Sequence, residues 1–197
     1  MLLNLIFRIN HKAPLQTQRK NHTIGCMTLH IALFQPDIAG NTGTILRLSA
    51  CFGLHVHIIE PAGFNLSDRN LKRAGMDYLE YASLKRHIDW PHFMHSMKHF
   101  NRRLLLLSTK AETCYTQICY QENDVLLFGR ETAGVPDYVH EAVDDTLKIP
   151  MQPHARSLNL AMSVAITTGE ALRQISYWKK EELYKKDIKN SLKDLIY

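Results

Sequence analysis

Two short runs fix the fold class of this chain. Leu104-Leu105-Leu106-Leu107 and Val125-Leu126-Leu127-Phe128 are apolar without interruption. A strand with one wet face alternates polar and apolar side chains. A strand without that alternation is buried on both faces, as the central strands of a parallel sheet are. Related segments surround these two. Leu29 to Phe34 reads as a first strand ended by Pro36, His55 to Glu60 as a second, and Thr146 to Ile149 as a last one.

Helical patterns separate the strands. Asn41 is expected to cap a helix running to about Phe52, with Ile45, Leu48 and Phe52 on one side and Gly53 as its stop. Ser67 or Asp68 is expected to cap a short basic helix that holds Arg69, Lys72 and Arg73. Asp89 caps a helix to about Asn101, with Pro91 tolerated in its first turn. Pro136 opens a helix to about Val143, and Ser157 opens one to about Trp178. This order predicts an α/β domain over residues 27–178 with a mostly parallel sheet flanked by helices. The length of 197 residues suits one core. No apolar run approaches the roughly 20 residues that span a bilayer, so no membrane association is expected. A content of 45% hydrophobic and 22% charged residues excludes a disordered or collagen-like chain.

The two ends differ from the middle. Residues 1–36 contain no acid, yet carry Arg8, Lys12, Arg19 and Lys20. Residues 1–26 read as an extension or as sequence ahead of a true start at Met27, in preference to a targeting signal. Residues 179–197 read as a tail with six lysines and four acids. Cys26, Cys51, Cys114 and Cys119 form no C-x-x-C pair, which implies a reduced, cytoplasmic protein. A net charge of +5 permits an acidic partner such as RNA without requiring one. Among eleven histidines, His55 and His57 share a strand face and His92, His95 and His99 have helical spacing. Neither set has the carboxylate or cysteine company of a zinc site, and no metal is expected.

Three segments carry chemistry. Asn41-Thr42-Gly43-Thr44-Ile45-Leu46-Arg47 opens a helix, and a guanidinium at Arg47 is suited to holding a phosphate. Phe128-Gly129-Arg130-Glu131-Thr132-Ala133-Gly134-Val135-Pro136 follows a buried strand, where open α/β sheets bind ligands. Its glycines permit tight backbone, but their spacing is neither the dinucleotide fingerprint nor a phosphate-binding P-loop. Ile149-Pro150-Met151-Gln152-Pro153-His154-Ala155-Arg156-Ser157-Leu158-Asn159-Leu160 is stiffened by two prolines before a helix that is apolar nearly all round. Such a helix is buried in a core or at a subunit interface, and Gly169 is placed to permit close helix approach.

Together, N-T-G-x-x-x-R, F-G-x-E-x-x-G-x-P and I-P-M-x-P-x-x-R-S-L-N-L resemble the three motifs of the SPOUT class of RNA methyltransferases. His57 to Phe64 and Leu71 to Tyr78 are similar to its TrmL-like branch, the tRNA (cytidine/uridine) 2′-O-methyltransferases that act on the wobble nucleotide. The resemblance covers about residues 29–177. It implies an α/β-knot fold with a C-terminal trefoil knot, S-adenosyl-L-methionine bound in the knot, and a homodimer with helix 157–178 at its interface. The implied reaction methylates the ribose 2′-OH of C or U in the tRNA anticodon stem-loop.

Residue by residue, the resemblance implies cofactor contacts at Leu107, Gly129, Ile149 and Ser157, with main-chain neighbours around Met151 and Leu158. It puts Arg47 at the reacting nucleotide, as a clamp on a phosphate. Glu131, Ser157 and Asn159 would orient the ribose, the cofactor or Arg47. Arg73 and Arg156 join Arg47 as expected RNA contacts. The chain departs from the family at Gly40, where Pro is frequent, and at Ala161-Met162, where the branch usually has Ser-Asn. It has Ala133 where a basic residue is common and Arg130 where Pro or Ser is, so Arg130 is expected to replace the missing charge. Competing readings are the same chemistry on another RNA site, a non-catalytic RNA-binding protein of this fold, and an ordinary doubly wound nucleotide enzyme.

Overall fold

The structure, a computed structural model, describes residues 29–65 and 83–175. The expected basic helix with Arg69, Lys72 and Arg73, residues 1–26, and the tail from 179 lie outside the described residues. In chain order the elements are β1 (His30–Phe34), α1 (Ala39–Phe52), β2 (His55–Ile59), β3 (Ser83–His87), α2 (Trp90–His99), β4 (Arg103–Leu107), β5 (Thr113–Cys114), β6 (Asp124–Phe128), α3 (Asp137–His140), β7 (Asp145–Lys148) and α4 (Leu160–Gln174). The strands form one sheet in the order β3-β2-β1-β6-β4-β7-β5. Every neighbouring pair is parallel.

The apolar runs occupy the centre. Every residue of β1 and β6 is buried, as are Leu104, Leu105 and Leu106 of β4. The pleat divides these runs between two cores. Ile31, Leu33, Leu105, Leu126 and Phe128 meet Ile45 and Leu46 of α1 and Val164 and Leu172 of α4. Ala32, Phe34, Leu104, Leu106, Val125 and Leu127 face the other way, toward Trp90, Phe93 and Met97 of α2 and Val139 of α3. Each large side chain so buried contributes roughly 1.5–3 kcal/mol. A single polar substitution in β6 therefore damages one core without touching the other.

Several expectations shift. Asn41 does not cap α1. The cap position is Ile38, without a side-chain bond, and Asn41 lies in the first turn because its amide is engaged elsewhere. Ser157 does not start α4 either. Asn159 is the cap, its Oδ1 accepting from the N–H of Ala161 at 2.9 Å and of Met162 at 3.3 Å. The buried stripe of α1 runs through Thr42, Ile45, Leu46 and Ser49, with Leu48 and Phe52 only partly covered. The helix after Pro136 stops at His140, where an i to i+3 bond from Ala142 to Val139 tightens the turn. Strands β3 and β5 have no apolar signature in the sequence: β3 is an edge strand with exposed Ser83, Lys85 and Arg86, and β5 has two residues. The Asp89 cap (2.8 Å to the His92 N–H), Pro91 in the first turn, and the left-handed Gly53 (φ 65°) stand as expected.

Histidines cross the other half of the sheet. His30 Nδ1 pairs with His57 Nε2 at 2.7 Å, and His57 Nδ1 with His87 Nε2 at 2.9 Å. All three are buried. His57 and His55 do share one face, lining a cavity beside Lys85 and Arg102. Four of the six ring nitrogens of His30, His57 and His87 are spent on one another. Among the described residues no group of three or more His, Cys, Asp or Glu is arranged to hold a metal. Burial, then nearby positive charge, lowers His30 to about 2, His57 to about 3 and His87 to about 4. A neutral imidazole donates once and accepts once, so the three rings form a directed chain.

These rings bind protons in the unfolded chain at pH 6 but not in the folded one. Their stabilisation is therefore complete above the ordinary value near 6.5 and is lost as pH falls toward the folded values. The urea midpoint is expected to be flat from pH 8 to 7 and to drop between pH 6.5 and 5, as the free energy of unfolding falls by roughly 1–2 kcal/mol per imidazole. Denaturation curves across that range check it, and an unchanged midpoint at pH 5 contradicts it.

Candidate active site

Parallel strands deliver their following loops to one edge of the sheet. After β1 the chain turns to α1 on one face; after β6 it turns to α3 on the other. The two loops part at the carboxyl ends of adjacent strands and leave a crevice there, the usual ligand position in such sheets. Loops from β4 and β7 complete its walls.

The loop after β6 is a tight one. Arg130 and Gly134 bond each other through N–H to O contacts of 2.9 and 3.0 Å, and Gly134 takes φ 67°. A Cβ on Gly129 would lie 2.6 Å from the Gly134 carbonyl carbon, so no side chain fits there. This closure presents Glu131 toward the first helix.

Asn41 is the node that joins the three motifs, and the second motif reaches it through Glu131. Glu131 Oε2 accepts from the Asp37 N–H at 2.8 Å, and its Oε1 from Asn41 Nδ2 at 3.0 Å. Asn41 Oδ1 in turn accepts from Asn159 Nδ2 at 3.0 Å. Side chains 90 and 118 residues apart in sequence are thus linked in one line. Asp37 adds a second tie. Its Oδ1 accepts from Arg130 Nε (3.1 Å) and Nη2 (2.7 Å), and its Oδ2 from Thr132 Oγ1 (2.6 Å). The Arg130 hydrogen bonds, with help from Thr132, hold the Asp37 carboxyl below the usual carboxylate range, and Asp37 lifts Arg130 in return.

Beside this node lies a cavity of about 540 Å³. Its walls include Ile38, Asn41, Leu107, Gly129, Glu131, Ser157, Leu158 and Asn159. A recess of about 70 Å³, walled in part by Leu107, Ile149, Met151 and Leu158, adjoins it. All six expected cofactor positions therefore line the cavity or its recess, and Glu131, Ser157 and Asn159 share the larger one. A mostly apolar recess opening on a polar mouth is the usual make-up of a cofactor pocket. Arg47 is not brought to this wall: it stands on the exposed face of α1. Arg156 is exposed beside Ser157, and Arg73 lies outside the described residues. Arg130 does not replace the charge missing at Ala133, because its guanidinium is committed to Asp37.

The sequence reading missed Asp37 and Thr132. An acid one residue past the proline that ends a central strand is the one local signal Asp37 carries, and it names no partner. Thr132 carried no signal, since its partner is 95 residues away.

Gly129→Ala is expected to cost about 1–3 kcal/mol, because the added carbon meets backbone. Asn159→Ala is expected to lose about 1 kcal/mol with the cap, and Asn159→Asp to keep the cap yet break the line to Asn41. Denaturation curves of the three variants check the ordering.

Comparison with known proteins places this arrangement. The profile of the SpoU rRNA Methylase family matches residues 28–169. A tRNA (cytidine(34)-2'-O)-methyltransferase of Beijerinckia indica is 52% identical over 145 residues, spanning 74% of this chain and 91% of the relative. A solved structure concerned with 2-OH methylation of C/U34 on tRNA superposes with a TM-score of 0.73 at 39% identity, covering 76% of this chain and 97% of that one. An AdoMet-bound rRNA methyltransferase from Sinorhizobium meliloti superposes with a TM-score of 0.70 at 25% identity, over 75% of this chain and 57% of that one. The parallel sheet is the SPOUT architecture that the motifs implied, and with the profile covering most of its length the chain belongs to the SpoU methylase family.

Proposed function

We propose that this chain is a tRNA 2′-O-methyltransferase that modifies the wobble nucleotide, C or U, of the anticodon with S-adenosyl-L-methionine. The observation that carries the reading is the Glu131–Asn41–Asn159 line, which gathers one residue from each motif at the mouth of a cofactor-sized cavity. The relatives with wobble-cytidine names align over most of their own length, which favours this substrate over another RNA site.

S-adenosyl-L-methionine supplies the methyl group on a sulfonium, a good leaving group. The protein's work is then positioning and handling of the 2′-OH proton. Leu107, Ile149, Met151 and Leu158 offer the apolar wall for a purine. Gly129 and Ser157 line the same cavity at its mouth. Glu131 and Asn159, already fixed to Asn41, orient the groups that meet there. Arg47 clamps the phosphate next to the target nucleotide, and its positive charge favours a developing alkoxide. Arg73 and Arg156 add phosphate contacts, which make affinity depend on salt.

A homodimer belongs to the same reading. Met162 and Ile166 stand exposed one turn apart on α4, Leu158 just before it is exposed too, and a Cβ on Gly169 meets open space within this chain. A second copy covering that stripe accounts for a helix apolar nearly all round. The trefoil knot and a cytoplasmic location complete the proposal. Among the described residues no helix is long and apolar enough to cross a membrane.

Arg47→Ala is expected to lower methyl transfer by about 100-fold or more while cofactor affinity changes less than about twofold. Transfer of labelled methyl to total tRNA, followed by mapping of the modified nucleotide, tests the whole reading. Label at position 34 supports it; label elsewhere in RNA moves the substrate. A large loss of cofactor affinity in Arg47→Ala overturns the role given to that residue.

A further inference from the structure

We propose that Arg130 is a positioning residue that works through Asp37 to hold the Glu131 carboxylate in place, and that it is not an RNA contact. The inference rests on the methyltransferase reading of this site and adds to it a residue that the family motif does not call for.

The geometry is a reciprocal clamp between two loops. The loop after β1 offers the Asp37 carboxylate to the loop after β6, where Arg130 takes Oδ1 and Thr132 takes Oδ2. The loop after β6 offers the Glu131 carboxylate back, where the Asp37 N–H takes Oε2 and Asn41 takes Oε1. Residues 130 and 132 thus grip the side chain of Asp37, and residue 131 between them grips its backbone. Arg130 and Thr132 thereby fix the loop that carries the Asp37 N–H, the donor to Glu131.

Arg130 would be a poor phosphate ligand in this setting. Two of its nitrogens converge on one oxygen, at 2.7 and 3.1 Å, and the Asp37 charge cancels its own. A phosphate would have to displace a carboxylate already bonded from four directions. The pair sits at the mouth of the crevice, with the Arg130 side chain 40% and Asp37 15% exposed. An ion pair this exposed adds little to global stability, so its value lies in orientation. A reacting group displaced by about 1 Å loses up to about 100-fold in rate.

The test uses the full chain and four variants: Arg130→Met, Arg130→Lys, Glu131→Gln and the double Arg130→Met/Glu131→Gln. For Arg130→Met, kcat is expected to fall about tenfold or more, with KM for tRNA within about twofold and the salt dependence of tRNA binding unchanged. Arg130→Lys is expected to recover most of kcat. The double variant is expected to be no slower than Glu131→Gln alone.

A raised KM with a shallower salt dependence would mean a phosphate contact and overturn the proposal. So would losses that add in the double variant, or an unchanged kcat. Thr132→Val, which leaves every charge in place, is expected to fall in kcat in the same direction and serves if Arg130→Met does not fold. Hydrogen exchange at the Asp37 amide, the donor to Glu131, separates this proposal from the wider reading. If the wild-type chain leaves tRNA unmethylated, the wobble reading fails, yet that amide is still expected to lose protection in Arg130→Met. Protection equal to wild type sinks the clamp whatever the substrate.

Discussion

A parallel sheet imposes one direction on everything that follows a strand. Each strand of this chain must be re-entered from the same end, so every loop that leaves a strand arrives at the same edge. Burial of β1, β4 and β6 on both faces makes that arrangement obligatory, because helices must cover both sides of the sheet. The chain satisfies this by sending α1 and α4 to one face and α2 and α3 to the other. The crevice between the β1 and β6 loops is a consequence of that division.

Within the crevice, polar order is set by two carboxylates and one amide line. Glu131 has both oxygens occupied by groups of the first loop and first helix, and Asp37 has both occupied by groups of the glycine-closed loop. Asn159 both caps α4 and donates to Asn41, so the start of the last helix and the orientation of the first motif depend on one side chain. Such sharing makes the site stiff at little cost in extra residues. It leaves the apolar recess beside Leu107, Ile149 and Met151 free to take a flat, apolar group.

The opposite end of the sheet solves a different problem. Three polar rings sit in buried positions of β1, β2 and β3, and each satisfies its neighbour. His30 Nε2 and His87 Nδ1 at the two ends have no partner in the structure. That imperfect chain is tolerated because the rings stay neutral, and it makes this half of the sheet sensitive to acid in a way the apolar half is not.

The sequence by itself determined the central strands of the sheet. The runs at 104–107 and 125–128 required central parallel strands, and Asp89, Pro91 and Gly53 marked helix boundaries through local sterics and capping alone. Three motifs were legible as motifs because their glycines, prolines and capping residues are local in character. What joins them was not legible. Asn41 read as a cap because sequence shows only near neighbours, whereas its side chain bonds residues 90 and 118 positions away. Arg130 read as a free charge for the same reason. Strand β3 escaped notice since an edge strand with solvent on its flank needs no apolar pattern. Tertiary structure alone decided which carboxylate meets which donor, because a hydrogen bond between distant residues depends on sheet order, and sheet order is a property of the packed chain.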